Sequence, residues 1–337
     1  MSLSIKDDEE LALGIDIGGT NIKAGLVTRQ GTLANLIRRR TPAQEQPEMI
    51  VEQILALIQT LTDEAGITPV RLSGIGISMA AFVTAGGLIT ATAHLSREWV
   101  GYDLGQRLAR DLSTKLYFAL DTPAPTLGEA YYGAAKGIDD FAYVTVSTGI
   151  GAGMFARGRY YTGGLGWAGG VGHIIIDENC KRICEGCGNH GCLETFAARQ
   201  GIVALAGELL EQQPDSAIFP LIEGDLRNLS PKNIWQAAVA GDRVAREVFR
   251  QAGHALGIGL VALADIFAPT RIVVGGGIAQ AGELLLAPAR AVVSQRAFPP
   301  SIRQVEIVQA ALGDLSGVYG AAAMVFHDLR INTPDVN

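Results

Sequence analysis

Two glycine turns, each set between short apolar strands, constrain the fold of this chain most strongly. The segment LALGIDIGGTNIKAGLV at 11–27 places an apolar strand on each side of a Gly-Gly turn, and FAYVTVSTGIGAGMFARG at 141–158 repeats the arrangement about 130 residues later. The repeat predicts a duplicated hairpin at the starts of two similar domains. The chain has 42 glycines in 337 residues, well above the usual ~7%, so its backbone must approach something closely at several points.

The glycine turns are candidate phosphate loops, because exposed backbone N–H groups at such turns bind phosphate oxygens. A third turn, Gly275 to Gly277, follows the apolar run RIVV and resembles a strand end that opens into a helix near Ala279. Any one glycine turn is more often only a turn. Three of them, with hydroxyls from Thr20 and Thr148 in the first two, favour phosphate loops, and the first two could hold the phosphate oxygens of one ligand from opposite sides.

The segments between the turns predict a mixed α/β chain. Helical periodicity marks 47–66, 194–212 and 230–267, and the last segment has Ser230 as N-cap, Pro231 at the first helical position and Pro269 after its end. Strands that alternate with helices indicate sheets covered by helices. The length favours two domains, which we expect at 1–120, completed by a C-terminal helix at about 315–330, and at 121–314, with a tight hinge near 120–125.

The charge argues against two classes of partner. A net charge of -7 and a pI near 5.3 do not suit a surface for nucleic acid or anionic membrane, since both need clustered Lys and Arg. The basic run at 38–40 is too short to change this, and no stretch is apolar and long enough for a membrane span. The N-terminus MSLSIKDDEE is not a signal peptide, so we expect a soluble, cytoplasmic protein.

Three cysteines crowd into the segment CEGCGNHGCLE at 184–194. Zinc collects thiolates at such spacings, whereas a disulfide is disfavoured without a route to an oxidising compartment. His173, eleven residues before Cys184 at what resembles the entry to a strand, would complete the ligand set with Cys187 and Cys192. Cys180 stays open as an alternative to Cys184. Four protein ligands leave no open position for substrate, so we expect the zinc to be structural.

The ordered motifs of the chain resemble one known family. They are DIGGT at 16–20, STGIGAG at 147–153, AGGVGH at 168–173, CGNHGCLE at 187–194, AGD at 240–242 and VVGGGI at 273–278, and they resemble the ROK family of repressors, open reading frames and sugar kinases. The resemblance implies a two-lobed actin/hexokinase-like (ribonuclease H-like) fold with duplicated α/β domains, ATP and sugar in a cleft, and a homodimer or dimer of dimers. ROK repressors carry a DNA-binding domain before the first motif. About ten residues precede it here, which favours the kinase branch.

The resemblance also implies roles for individual residues. Asp121, eight residues before Glu129 in ALDTPAPTLGEA, would be the catalytic base, with a helix cap before Pro123 as its alternative. Asp16 would hold the Mg²⁺ of MgATP through water, with a solvated turn carboxylate as its alternative. His173 and Glu194 would reach sugar hydroxyls. The expected nucleotide-binding residues are Asp16, Gly18, Gly19, Thr20, Lys23, Thr148, Gly149, Gly151, Gly275, Gly276 and Gly277, and the expected cofactors are ATP, Mg²⁺ and structural Zn²⁺.

The departures from the family pattern fall in the expected sugar pocket. Gly170 stands where the family has Glu, and Leu120 and Pro123 stand where it has Asn. The usual Pro-Gly pair after the third strand is replaced by SMAAF at 78–82, and the cysteine loop is one residue longer than usual. Three interpretations follow: a hexose kinase for a less polar or modified substrate, a kinase that binds its sugar weakly, and a sugar-sensing or structural protein without activity. The sequence does not distinguish polyphosphate from ATP as the phosphoryl donor.

Overall fold

The computed structural model describes residues 9–92 and 95–331 and confirms the α/β class. The strands are β1 Leu11–Ile17, β2 Asn21–Thr28, β3 Leu33–Arg40, β4 Gly74–Met79, β5 Ala81–Val83, β6 Ile89–Thr92, β7 Leu116–Leu120, β8 Phe141–Val146, β9 Ile150–Ala156, β10 Arg159–Tyr161, β11 Arg271–Gly275 and β12 Glu306–Gln309. The helices are α1 Pro47–Glu64, α2 Leu104–Ala109, α3 Pro123–Tyr131, α4 Glu194–Ala197, α5 Arg199–Leu210, α6 Ile218–Leu221, α7 Pro231–Val239, α8 Arg243–Phe267, α9 Glu283–Arg296 and α10 Ser316–Phe326.

The duplication predicted from the two glycine hairpins extends to whole sheets. The first five-stranded sheet has the order β3-β2-β1-β4-β7 and the second has the order β10-β9-β8-β11-β12. In the first, β1 pairs antiparallel with β2 and parallel with β4, and β4 pairs parallel with β7. In the second, β11 pairs parallel with β8 and with β12. In both sheets the glycine turn therefore joins the central strand to its neighbour on the hairpin side.

Helix α10 packs directly on the first sheet because two central strands carry glycine at the contact. A Cβ atom at Gly14 would lie 2.0 Å from the carbonyl oxygen of Val318, and one at Gly76 would lie 1.9 Å from that of Ala321. Neither helix nor strand has room for a side chain there. This close approach places the C-terminal helix of the chain on the N-terminal sheet and brings its first turn to the end of β1.

The chain divides into two compact units. The first comprises residues 1–139, 153–168 and 314–337, and the second comprises 140–152 and 169–313. The first unit thus runs beyond the expected hinge at 120–125. The physical reason is that α3 packs against α10, where the carbonyl oxygen of Ala124 lies 1.6 Å from the position of a Cβ atom on Gly320.

Three local predictions need correction. The segment 230–267 forms two helices, since Gly241 has a φ of +100° and Asp242 caps α8 by accepting the backbone N–H of Ala245 at 2.8 Å. The segment 194–212 likewise forms α4 and α5. His173 ends a short 3-10 helix rather than starting a strand. The capping of α7 by Ser230 is confirmed.

Within the residues that the structure describes, no helix combines the length and the apolar character needed to cross a membrane.

Candidate active site

Asp16 lies at the carboxyl end of β1, beside the first turn of α10. A Cβ atom on Gly317 would lie 2.6 Å from the carboxyl carbon of Asp16, so the carboxylate faces the positive end of this helix. The ammonium of Lys23 lies 3.4 Å from Asp16 Oδ2 and donates to the carbonyl oxygen of Asp314 at 2.6 Å. Burial raises the pKa of Asp16, and Lys23 opposes the shift. Asp16 is therefore a partly enclosed carboxylate rather than a solvated one.

Asp121 directly follows β7, at the same edge of the parallel strands as Asp16. Thr122, not Asp121, is the N-cap residue of α3. Burial among the surrounding protein atoms, with the charge of Asp16 adding to it, raises the pKa of Asp121 to about 7. Solvent reaches the side chain, and screening by that solvent limits the shift. The result is a carboxylate that can accept a proton near neutral pH.

The first glycine turn is a tight hairpin whose tip is exposed. The N–H of Gly18 donates to the carbonyl oxygen of Asn21 at 3.0 Å, and Thr41 holds the turn by donating its hydroxyl to the carbonyl oxygen of Gly18 at 2.7 Å. Gly19 and Thr20 are exposed to solvent. The turn therefore has a fixed base and an accessible backbone at its tip.

The second and third glycine turns lie side by side in the second unit, because β8 and β11 are paired and parallel. A Cβ atom on Gly277 would lie 3.9 Å from the hydroxyl of Ser147. Gly276 has a φ of +91°, and a Cβ atom there would lie 2.5 Å from the carbonyl oxygen of Val146, so only glycine fits. The structure thus brings Thr148, Gly149 and Gly151 to the same edge of the sheet as residues 275–277.

A pocket of about 440 Å³ opens beside these two turns. One end is bounded by Ser147, Thr148 and Gly277, and apolar side chains form much of the remainder. Trp235 from α7 and Phe249 from α8 contribute aromatic rings. The full lining is Ser147, Thr148, Arg199, Ser230, Pro231, Lys232, Trp235, Phe249, Gly277, Ile278, Gln280 and Ala281. This combination of an apolar recess and backbone N–H groups suits a planar base with attached phosphates.

The structure brings His173, Cys184, Cys187 and Cys192 into one cluster, whose ligand atoms lie within 4.8 Å of one another. Cys184 Sγ is 3.5 Å from His173 Nδ1, and Cys187 Sγ is 3.5 Å from Cys192 Sγ. Tetrahedral zinc with bonds of about 2.0 to 2.3 Å separates its ligands by roughly 3.5 to 3.8 Å, so these two separations match that ion and the ligand types suit it. Cys180 is not in the cluster, and its sulfur accepts the N–H of Arg182.

Glu194 links the cysteine cluster to the second glycine turn. Its Oε1 accepts a hydrogen bond from Cys184 at 2.9 Å, and its Oε2 accepts the N–H of Ile150 at 3.3 Å. His173 is 3.9 Å from the same carboxylate. His173 and Glu194, the two residues expected to contact the sugar, therefore lie close together. The position of Glu194 depends on the fold of the cysteine loop, because Cys184 donates to its carboxylate.

The residues that the sequence patterns missed are those lining the apolar pocket, above all Lys232, Trp235 and Arg199. The helix start at Ser230 and Pro231 was visible in the sequence. Which face of α7 lines a pocket depends on its packing against α8 and the turn after β11, and periodicity carries no such information. An aromatic residue on the mostly polar face of α7 is the signal that was available.

Comparisons with known proteins show which family this chain resembles in sequence and in fold. The sequence profile of the ROK family matches residues 12–328. A glucokinase from Thermotoga maritima is 29% identical over 93% of this chain and 96% of its own length. A xylose repressor from Caldicellulosiruptor bescii is 28% identical over 97% of this chain and 81% of its own length.

A crystal structure of a ROK family glucokinase from Streptomyces griseus, in complex with glucose and AMPPNP, superposes with a TM-score of 0.81. The two sequences are 30% identical, and the superposition covers 94% of this chain and 99% of the glucokinase chain. The ROK sugar kinases have the two-lobed actin/hexokinase-like fold, which accounts for the duplicated sheets found here. The motifs, the duplicated architecture and the match over nearly the whole sequence assign this chain to the ROK family.

Proposed function

We propose that the chain is an ATP-dependent sugar kinase that phosphorylates a hydroxyl of a hexose or hexose derivative. The observation that carries the proposal is the pocket beside residues 147–151 and 275–277, in which exposed turn backbone adjoins an apolar recess. The glucokinases similar to this chain, one of them solved with glucose and AMPPNP, support the same donor and the same class of acceptor.

The donor is held, in this proposal, by backbone rather than by charge. Trp235 and Phe249 pack on the base, and the N–H groups of the second and third turns donate to phosphate oxygens. Thr148 adds a hydroxyl at the phosphate end. Asp16 offers a carboxylate oxygen to the hydration shell of Mg²⁺, and Lys23 balances its charge. MgATP, when bound, supplies the phosphoryl group and the cation that neutralises its oxygens.

Asp121 acts as the general base. The proton of the acceptor hydroxyl moves to a carboxylate oxygen of Asp121 as that hydroxyl oxygen attacks the γ-phosphorus and the bond to ADP breaks. A pKa raised to about 7 keeps Asp121 largely ionised above neutral pH and still basic enough to take the proton. His173 and Glu194 contact acceptor hydroxyls and orient the sugar.

The His173, Cys184, Cys187 and Cys192 cluster holds a structural zinc ion. Four ligands close the coordination sphere, so the ion fixes the 184–194 loop and with it Glu194 and His173. The cluster geometry supports zinc, and the position of Cys180 outside it favours Cys184 as the fourth ligand. A homodimer or dimer of dimers and a cytoplasmic location belong to the same proposal, on the resemblance of the motifs.

A second candidate function is a sugar-binding regulator without turnover. It is favoured by Leu120, Pro123 and Gly170, which remove two amides and a carboxylate expected in the sugar pocket, and by the similarity to a xylose repressor. The two functions differ in one measurable quantity. A kinase releases ADP in proportion to the sugar phosphate formed, whereas a regulator binds sugar and leaves ATP unchanged.

A further inference from the structure

The buried serine of β4, Ser78, takes no part in the proposed kinase chemistry. It opens the segment SMAAF, which departs from the family pattern, and it is 0% exposed. Among the described residues, no group meets standard hydrogen-bond geometry at its hydroxyl oxygen. A buried hydroxyl without a partner carries the full cost of its desolvation. Such groups are few in a folded chain, and each calls for an explanation.

The first sheet places Ser78 next to Asp16. The two residues pair in the parallel register of β1 and β4, and paired strands lie about 4.8 Å apart. Side chains two residues apart in a strand share a face. The positions two before each of them, Gly14 and Gly76, both face α10. Ser78 and Asp16 therefore point to the same side of the sheet, beneath the first turn of α10.

The carboxylate of Asp16 has neighbours on three sides. On the β2 side, the ammonium of Lys23 lies 3.4 Å from Oδ2. On the α10 side, a Cβ atom at Gly317 would lie 2.6 Å from the carboxyl carbon. Ser78 occupies the β4 side.

The Ser78 hydroxyl is near enough to act on this carboxylate. Burial raises the pKa of Asp16, whereas the charge of Lys23 and the donor of Ser78 oppose that rise. The contact falls outside the geometry of a standard hydrogen bond. The hydroxyl therefore faces an acceptor that lies within reach of a small adjustment of either side chain.

We propose that Ser78 is a positioning residue, which donates its hydroxyl to the Asp16 carboxylate and fixes the orientation in which that carboxylate meets the hydrated Mg²⁺ of MgATP. The inference rests on the proposed kinase function and adds a residue to its cation site. The ammonium of Lys23 is a mobile point charge, whereas a hydroxyl donor prefers one direction. Ser78 is fully enclosed, so it acts through Asp16 and touches neither cation nor substrate.

The expected effect is moderate and depends on the cation. A partner that orients a group at a metal site is typically worth about 10- to 100-fold in metal affinity or activity. Asp16 is proposed to hold Mg²⁺ through water, so we expect the lower end, about tenfold. The loss should appear only with Mg²⁺ present, because the base and the phosphates of the nucleotide have proposed contacts of their own in the second unit.

The test measures AMPPNP affinity by calorimetry, with Mg²⁺ and in EDTA, for the parent, Ser78→Ala and Ser78→Cys. Ser78→Ala should weaken binding about tenfold with Mg²⁺ and by less than about twofold in EDTA. Ser78→Cys keeps a side chain of similar shape but offers only a weak donor, so it should lose as much. A packing role predicts a different result: Ser78→Ala weakens binding equally in both buffers, and Ser78→Cys restores it.

Asp16→Ala shows whether Ser78 acts through that carboxylate. Adding Ser78→Ala to Asp16→Ala should change the affinity with Mg²⁺ by less than about twofold, because residues that act as one unit are not additive. Thr62→Val is the matched control. Thr62 is 0% exposed in α1 and donates its hydroxyl to the carbonyl oxygen of Ile58 at 2.9 Å. This variant should bind AMPPNP like the parent in both buffers, and additive losses or an equal loss in Thr62→Val overturn the inference.

Failure of the kinase function would give a different result. A parent that binds no AMPPNP in either buffer contradicts that function, and a crystal structure of the parent then decides the positioning. The inference requires the Ser78 hydroxyl oxygen to lie within about 2.5 to 3.0 Å of an Asp16 carboxylate oxygen. It is overturned by a hydroxyl that donates elsewhere, or by a parent that binds AMPPNP no better than Ser78→Ala with Mg²⁺.

Discussion

The edge of the second sheet and the surroundings of Asp121 differ in how they would hold a ligand. Residues 147–151 and 275–277 present backbone at glycine turns, and a Cβ atom at Gly276 would lie 2.5 Å from a neighbouring carbonyl oxygen. Around Asp121 the chain contributes side chains instead: Leu120 ends β7 and Pro123 begins α3. Backbone contacts tie phosphate binding to glycine, whereas side-chain contacts let acceptor choice change one residue at a time. Phosphate binding is therefore the part of the proposed function that sequence motifs reveal.

Removing the proposed base should cause the largest loss of activity. Asp121→Asn keeps the shape of the side chain and removes its capacity to take a proton, so kcat should fall by about 10² to 10⁴. Nucleotide affinity, measured by calorimetry with AMPPNP, should stay within about twofold, since the phosphate contacts are assigned to the glycine turns. A variant as active as the parent would reassign Asp121 to a structural role.

The pH profile is the control for that variant. Burial raises the pKa of Asp121 to about 7, and the base must be ionised to act. The kcat/KM of the parent should therefore rise about tenfold per pH unit below that pKa and level off above it. Residual activity of Asp121→Asn should lack this limb. The same limb in both proteins would assign the titration to another group.

Removing one cysteine of the cluster tests the second unit alone. The purified parent should contain about one zinc per chain, and Cys187→Ser should lower zinc affinity by more than the roughly 10- to 100-fold that an outer-shell change costs. Loss of the ion should lower the melting temperature and loosen the loop that carries Glu194. Cys180→Ser is the matched control and should keep the metal. A parent with stoichiometric disulfide and no zinc would contradict the assignment.

A carboxylate introduced at position 170 tests whether this position contacts the sugar acceptor. Gly170 has a φ of −69° and open space around the position of its Cβ atom, so Gly170→Glu fits without backbone strain. A new charge-assisted hydrogen bond of ~1.5–3 kcal/mol would raise kcat/KM for glucose by about 10- to 150-fold, and it should not improve an acceptor that carries an apolar group. Gly170→Ala is the control. Equal kinetics of both variants on every sugar would show that position 170 does not face the acceptor.

Local chemistry explains which features could be predicted from sequence. The cysteine cluster and the glycine turns were predictable because residue type and spacing carry the function, whatever the packing. The break between α7 and α8 was missed because the apolar periodicity continues through Gly241, whose positive φ and capping neighbour Asp242 end the helix. The pocket with Trp235 and the pairing of Ser78 with Asp16 join residues far apart in the chain, which no local pattern encodes.

Product analysis tests the central claim most directly. The parent chain and Asp121→Asn are each incubated with MgATP and one sugar at a time: glucose, 2-deoxyglucose, N-acetylglucosamine or N-acetylmannosamine. The ADP and the sugar phosphate formed are quantified together. We predict ADP and a phosphorylated sugar in equal amounts, formed by the parent and nearly absent with Asp121→Asn. Sugar binding with unchanged ATP on every acceptor would contradict the account and favour the regulator.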